Sequence, residues 1–215
     1  MHVLDDPHGL SPRAQAFLRR AWVEPPAAPQ SSLRDQATDF AVRREGFTAR
    51  FGGLNYDVRR SVRIRDQRLD SVRRWRFDLL EAVHAERRGW SFDWYGELVS
   101  SPVFYLAHTD GRVGVRAGGP FLEVWTSFDH LIESHALMDE LAGWDPVTPS
   151  SLETWVPTRP DDDQLTELLA PLSPVPEASG PCDRWWRSDD LAVRQFHAWT
   201  DTRPRPIGTM IWSRR

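Results

Sequence analysis

His130, Glu133 and His135 are the residues in this chain whose types could hold a metal ion. A zinc-protease helix sets its histidines four residues apart, on one face. Here the spacing is five, about 140° around a 3.6-residue turn. His135 also falls on an apolar stripe, so it reads as a core histidine. Asp161-Asp162-Asp163 lacks the ligand spacing of a calcium loop and reads as a solvated helix start. Cys182 is the single cysteine, set among prolines and acids without helical context, so neither an internal disulfide nor a Cys-rich zinc module can form. No Gly-x-Ser-x-Gly elbow and no phosphate-cradling glycine loop is present. These residues point away from an enzyme, a metal centre or a bound cofactor.

A second set of residues suits recognition instead. Eleven Trp and ten Phe occur in 215 residues. In the segment 112–125 strand alternation places Val113, Val115, Leu122 and Val124 on one face. Arg112, Arg116, Phe121, Glu123 and Trp125 fall on the other, and Trp90 and Trp94 share a face of a nearby strand. A sheet face that mixes Trp, Arg and Glu has the composition of a protein interface. The competing reading is that a C-terminal hairpin or a helix covers it. With Glu97 and Asp110 as further acids, the candidate partner-binding set is Trp90, Trp94, Glu97, Asp110, Arg112, Arg116, Phe121, Glu123 and Trp125.

The elements that position these residues are legible in outline. Ser11-Pro12 opens a helix whose apolar side is Ala14, Phe17, Leu18 and Ala21, ended by Pro25-Pro26. A second helix is expected from about Ser31 or Ser32, through Leu33, Ala37, Phe40 and Phe47, stopping at Gly52-Gly53. Alternating strands follow at 54–64, 75–79 and 90–94. Val103–Ala107 is a short apolar strand, Asp110-Gly111 a hairpin turn, and Gly118-Gly119-Pro120 the next turn. Ser127 caps a helix with Phe128, Leu131, Ile132, His135 and Met138 buried. Residues 145–160 and 171–181 are Pro-rich and flank a short helix, and a closing hairpin spans 191–212 around Arg203–Pro206. The expected fold is α+β, a twisted antiparallel sheet with helices on one face, with a main domain over 1–144 and a small helix and hairpin appendage over 145–215.

Charge bounds the partners. Residues 1–100 carry 17 Arg against 14 acids, a net of +3, and residues 101–215 carry 10 Arg against 17 acids, a net of −7. There is no lysine. Eight of the arginines crowd 59–76, interleaved with Asp57, Asp66, Asp70 and Asp78, which reads as a self-paired surface rather than a nucleic-acid patch. An acidic half suits a basic protein partner. No apolar run reaches the length of a membrane helix, and the first residues lack the order of a secretory signal, so a cytoplasmic location is expected. A free sheet edge beside tryptophans is compatible with a monomer or a weak dimer.

The order of these features resembles the SUKH superfamily of bacterial immunity proteins, over roughly residues 10–144. The resemblance is carried by Phe51-Gly52-Gly53-Leu54-Asn55-Tyr56, by Asp110-Gly111-Arg112-Val113-Gly114-Val115, by Val124-Trp125, and by Ser127-Phe128 opening a helix. It implies an α+β fold without catalysis. It also implies a cognate protein partner, a polymorphic toxin of the nuclease or nucleic-acid deaminase type, neutralised by steric occlusion. A regulatory or scaffold module is the alternative, and an unrecognised enzyme the third. The resemblance transfers no individual binding residue.

Overall fold

A computed structural model describes residues 1–25, 38–64, 67–99, 103–116, 119–147, 162–197 and 206–214. The start of the second helix near Ser31, and the turn at Arg203–Arg205, lie outside the described residues.

Helix α1 (Pro12–Leu18) begins where the sequence predicts. The Ser11 hydroxyl accepts from the Ala14 amide at 3.2 Å, and Pro12 sits where no amide hydrogen is needed. Helix α2 (Thr38–Phe51) buries Phe40, Phe47 and Phe51. It ends at a turn in which Gly53 has φ +76°, and a Cβ there would meet the Glu24 carbonyl oxygen at 2.1 Å. Only glycine fits that turn.

Seven strands then form an antiparallel meander in which order in space equals order in sequence. They are β1 (Trp22–Val23), β2 (Leu54–Ile64), β3 (Gln67–Ala85), β4 (Trp90–Glu97), β5 (Phe104–His108), β6 (Val113–Arg116) and β7 (Leu122–Trp125). Tyr56, Trp75, Phe77, Phe92, Trp94 and Tyr105 project from one face of this sheet into the core, against α2 and α3 (Phe128–Leu141).

Helix α3 is capped by Ser127, whose hydroxyl accepts from the His130 amide at 3.1 Å. The sequence predicts one buried stripe, but α3 is buried almost all round, Glu133, Ser134 and Asp139 included. The sheet takes one side, and α1 and a 3-10 turn (Pro176–Ala178) take others. Its buried acids survive because they are bonded. Glu133 accepts from the Ser11 amide at 2.5 Å, the Ser11 hydroxyl at 2.7 Å and Arg13 at 3.1 Å. Asp139 accepts from the Arg59 amide at 2.9 Å and from the Arg59 and Arg20 guanidinium groups.

The arginine run pins the β2–β3 hairpin down. Arg68 donates to the Ala142 and Trp144 carbonyls at 2.7 and 3.1 Å, at the negative end of α3. Arg63 reaches the Pro146 carbonyl and Asp145. Arg74 pairs with Asp57 and Arg76 with Asp78 within the sheet. Self-pairing therefore accounts for only part of the run. Arg65 and Asp66 lie outside the described residues.

The C-terminal part has the expected helix, α4 (Asp162–Leu169), and the expected hairpin, β11 (Leu191–His197) with β12 (Pro206–Ser213). The hairpin is widened by β8 (Asp145–Val147), β9 (Ser173–Pro174) and β10 (Asp183–Arg187) into a five-stranded sheet of order β8-β12-β11-β10-β9. Trp185 and Trp212 stack at 5.7 Å and belong to the same buried cluster as the meander's aromatics. The Trp212 indole donates to the Ser61 carbonyl on β2 at 2.9 Å. Among the described residues no helix is long and apolar enough to cross a membrane.

Candidate protein-binding face

The face of the meander away from the helices is fixed by register. Directly opposed residues of neighbouring strands share a side. Asp93, Leu106, Gly114 and Glu123 form one such row across β4, β5, β6 and β7. His84, Ser91 and His108 form a second, and Phe104 and Arg116 a third.

Five of the nine sequence-derived candidates come together here. The Asp110 carboxylate accepts from the Arg112 amide at 3.1 Å and from the Arg112 side chain at 2.8 Å. Arg112 also donates to Glu123 at 3.2 Å and lies over the Phe121 ring at 5.6 Å. Phe121 in turn packs 5.5 Å from the His108 ring. Burial pushes the Asp110 carboxyl up, but hydrogen bonds from Arg112 and His108 outweigh it and bring it down to about 2. Arg116 pairs with Glu86, which accepts the Ser91 hydroxyl at 2.6 Å.

The other four are placed differently. Trp90 lies at the end of β4, 38% exposed. Trp94 and Trp125 are core residues, 1% and 4% exposed, and cannot serve as surface anchors. Trp94 shares the inward side with Phe92 and packs 5.0 Å from Phe77. Trp125 is turned inward by a bulge: Val113 opposes Trp125, but Gly114 opposes Glu123, so β7 carries one extra residue. Strict alternation fails at that point, and Trp125 packs against Trp75. Glu97 is also redirected. Gly96 has φ +68° and Glu97 opposes Trp75, which aims its carboxylate inward, 3.6 Å from both Arg60 and Arg73.

Several residues of this face escape the sequence reading. Phe104, 57% exposed, and Tyr95, 39% exposed, are its aromatic surface. Alternation within 104–108 carries the signal for Phe104, because Tyr105 and Ala107 take the core side; reading the run as uniformly apolar hides it. His84 and Asp93 pair at 2.7 Å, Asp93 nearly buried. His108 Nε2 lies 2.6 Å from the Arg88 carbonyl oxygen, so that nitrogen carries a hydrogen.

His84, Ser91 and Asp93 are the residue types of a hydrolytic triad, and His84 directly opposes Ser91. Their bonds do not run in that sense. Ser91 is fully buried and gives its hydroxyl to Glu86, while His84 Nε2 faces Asp93. The acids of the candidate partner-binding set are likewise matched, Asp110 and Glu123 by Arg112 and Glu97 by Arg60 and Arg73. His130, Glu133 and His135 turn to separate partners: the Pro176 carbonyl, Ser11 with Arg13, and the Tyr56 hydroxyl. What the face offers is rigid, bonded polar groups around exposed aromatic rings. None of the family models, curated proteins or solved structures compared with this chain matches it.

Proposed function

We propose that this protein is a non-catalytic binding module that docks a partner protein on the outer face of its meander. One observation carries this reading: Phe104 and Tyr95 stand exposed on this face, Phe104 directly opposite Arg116, which pairs with Glu86, and Tyr95 under the guanidinium of Arg76, which pairs with Asp78. Aromatic rings beside arginines already held in place lose little side-chain freedom on contact, which favours them as interface anchors. The resemblance to SUKH immunity proteins supplies the partner class, a toxin acting on nucleic acid whose cleft the module occludes. The acidic balance of residues 101–215 supports a basic partner.

The test is capture of proteins encoded by chromosomal neighbours on the tagged chain, with rescue of cells expressing the captured toxin. Phe104→Asp is expected to weaken capture at least about tenfold, roughly 1.4 kcal/mol, and to abolish rescue, without moving the melting temperature. Stoichiometric capture that Phe104→Asp leaves unchanged overturns this face as the interface. A partner that is a host housekeeping protein favours the scaffold reading instead.

A further inference from the structure

On the opposite, helix side of the sheet, α2, the β5–β6 turn and the first turn of α3 enclose a cleft of about 680 Å³. The volume falls inside the roughly 300–1,000 Å³ typical of small-molecule pockets. Arg43, Gly46, Phe47 and Arg50 of α2 all line it. Their spacing is that of one helix face. Two arginines therefore end that stripe, about 10 Å apart along the axis at 1.5 Å per residue, with the glycine between them.

Charge in the cleft leans positive. Arg43 and Arg50 stand against one acid among the lining residues, Asp129. The Asp129 Oδ1 atom is buried, and burial pushes its carboxyl up from the usual carboxylate range. Among the described residues neither arginine has a carboxylate within ion-pair distance; each is held by backbone carbonyls instead. Arg43 donates through Nε to the Thr109 carbonyl at 2.8 Å. Arg50 donates to the carbonyls of Asp6 and His8 at 2.6 and 3.5 Å. The outer face differs, because Arg112 and Arg116 are each paired with an acid there.

Arg43 is bonded at Nε, so its two terminal nitrogens form a fork with no acceptor among the described residues. That end of a guanidinium matches a carboxylate through two parallel hydrogen bonds. The Thr109 bond already holds the side chain, so less rotamer freedom is lost on contact. A Cβ on Gly111 would lie 3.7 Å from Arg43 Nη1, so the glycine that this turn needs for its φ of +99° also leaves the fork uncrowded.

Gly46 supplies an independent observation. It lies inside α2, where glycine costs about 1 kcal/mol relative to alanine. Nothing in the packing requires it: a Cβ placed there meets no atom within 4 Å, and its backbone is not left-handed. Its missing side chain instead keeps one wall of the cleft open. Val42, 62% exposed, and the half-buried Phe128 supply apolar surface in the same cleft.

We infer that this cleft binds a small organic anion, a carboxylate on an aromatic or branched apolar body. The carboxylate takes the Arg43 fork, and Arg50 adds a second positive charge. The body fills the space over Gly46, against Val42 and Phe128. An ammonium group would instead meet two guanidinium groups. This inference is independent of the outer face, so either reading can fail alone.

The test is calorimetric titration of the full chain at about pH 7.5, where a carboxylate is ionised, with indole-3-acetate, its neutral analogue tryptophol and the cation tryptamine. Indole-3-acetate is expected to bind with Kd of about 1 mM or tighter, with tryptophol at least about tenfold weaker and tryptamine silent. Arg43→Gln, at an exposed position, is expected to bring indole-3-acetate down to the level of tryptophol. Gly46→Leu is expected to abolish binding while leaving the melting temperature unchanged or higher. No binding of indole-3-acetate, equal binding of all three probes, or binding indifferent to Arg43→Gln or to Gly46→Leu overturns the proposal. If Arg43→Gln does not fold, the probe series and Gly46→Leu still decide.

Discussion

Asp139 and Glu133 carry negative charge into the interior on one helix, and each is held by several donors from other elements. Burial pushes the Asp139 carboxyl up, but hydrogen bonds from the Arg59 side chain and amide and from Arg20 prevail and hold it below its ordinary value. Asp139→Asn is expected to cost about 1–3 kcal/mol in urea unfolding, at the lower end because both arginines are half-exposed and regain water. Trp125 marks the limit of reading residues one at a time. Its type and position suggest a surface anchor, yet its environment depends on a bulge one residue away. Trp125→Ala is expected to cost about 3–5 kcal/mol, and a melting temperature equal to the parent's would contradict its placement. Cys182 is buried, and burial, with Asp183 and Glu123 nearby, raises its thiol to about 11. A disulfide reagent at neutral pH is expected to label it only on unfolding, because thiolate is the reactive form.

Elements with local punctuation were legible from the chain: Ser11-Pro12 for α1, Ser127 for α3, and Asp110-Gly111 for the β5–β6 hairpin. Each is a short-range signal whose cause lies within four residues. Elements shaped by neighbours were not. The bulge in β7, the turn of Glu97 toward Trp75 and the full burial of α3 all depend on strands and helices distant in sequence. The candidate site shared this fate: Arg112, Arg116, Phe121 and Glu123 share one face as alternation predicts, with Asp110 bonded to Arg112, whereas Trp125, predicted on the same face, is turned inward, as are Trp94 and Glu97. Gly96 shows the mechanism most directly. A Cβ there would lie 2.1 Å from the Tyr105 ring, in a left-handed backbone. Gly96→Ala is expected to lose about 1–3 kcal/mol to overpacking and roughly 1 kcal/mol more to strain. A thermal melt indistinguishable from the parent's would refute it.

Across the whole molecule, acid sensitivity follows from groups that fold in one protonation state. His135 is fully buried, and burial, aided by Arg60 and Arg194, holds its pKa well below 6.5. The folded chain keeps it neutral, while the unfolded chain takes up a proton below about pH 6.5. Stability is therefore full above that pH and falls as pH drops, by at most about 1.4 kcal/mol per pH unit for this group. His2, lowered chiefly by burial, adds in the same direction. Asp110 contributes a second decline between about pH 4 and its folded value of about 2. Urea midpoints across this range are expected to show both declines, and His135→Gln to flatten the upper one whatever it does to absolute stability.

The two sheets also differ in when they can form. Every pairing of the meander joins a strand to its successor in the chain, most across short turns. The second sheet instead seats β12 between β8 and β11, so residues 145–147 wait for residues 211–213. Contacts close in sequence form with less loop-closure entropy. On a ribosome the meander can pair strand by strand as it emerges, while β8 stays unpaired until Ser213 has left the tunnel. Pulse-labelled hydrogen exchange during refolding is expected to protect the amides of 54–60 and 73–77 before those of 208–213.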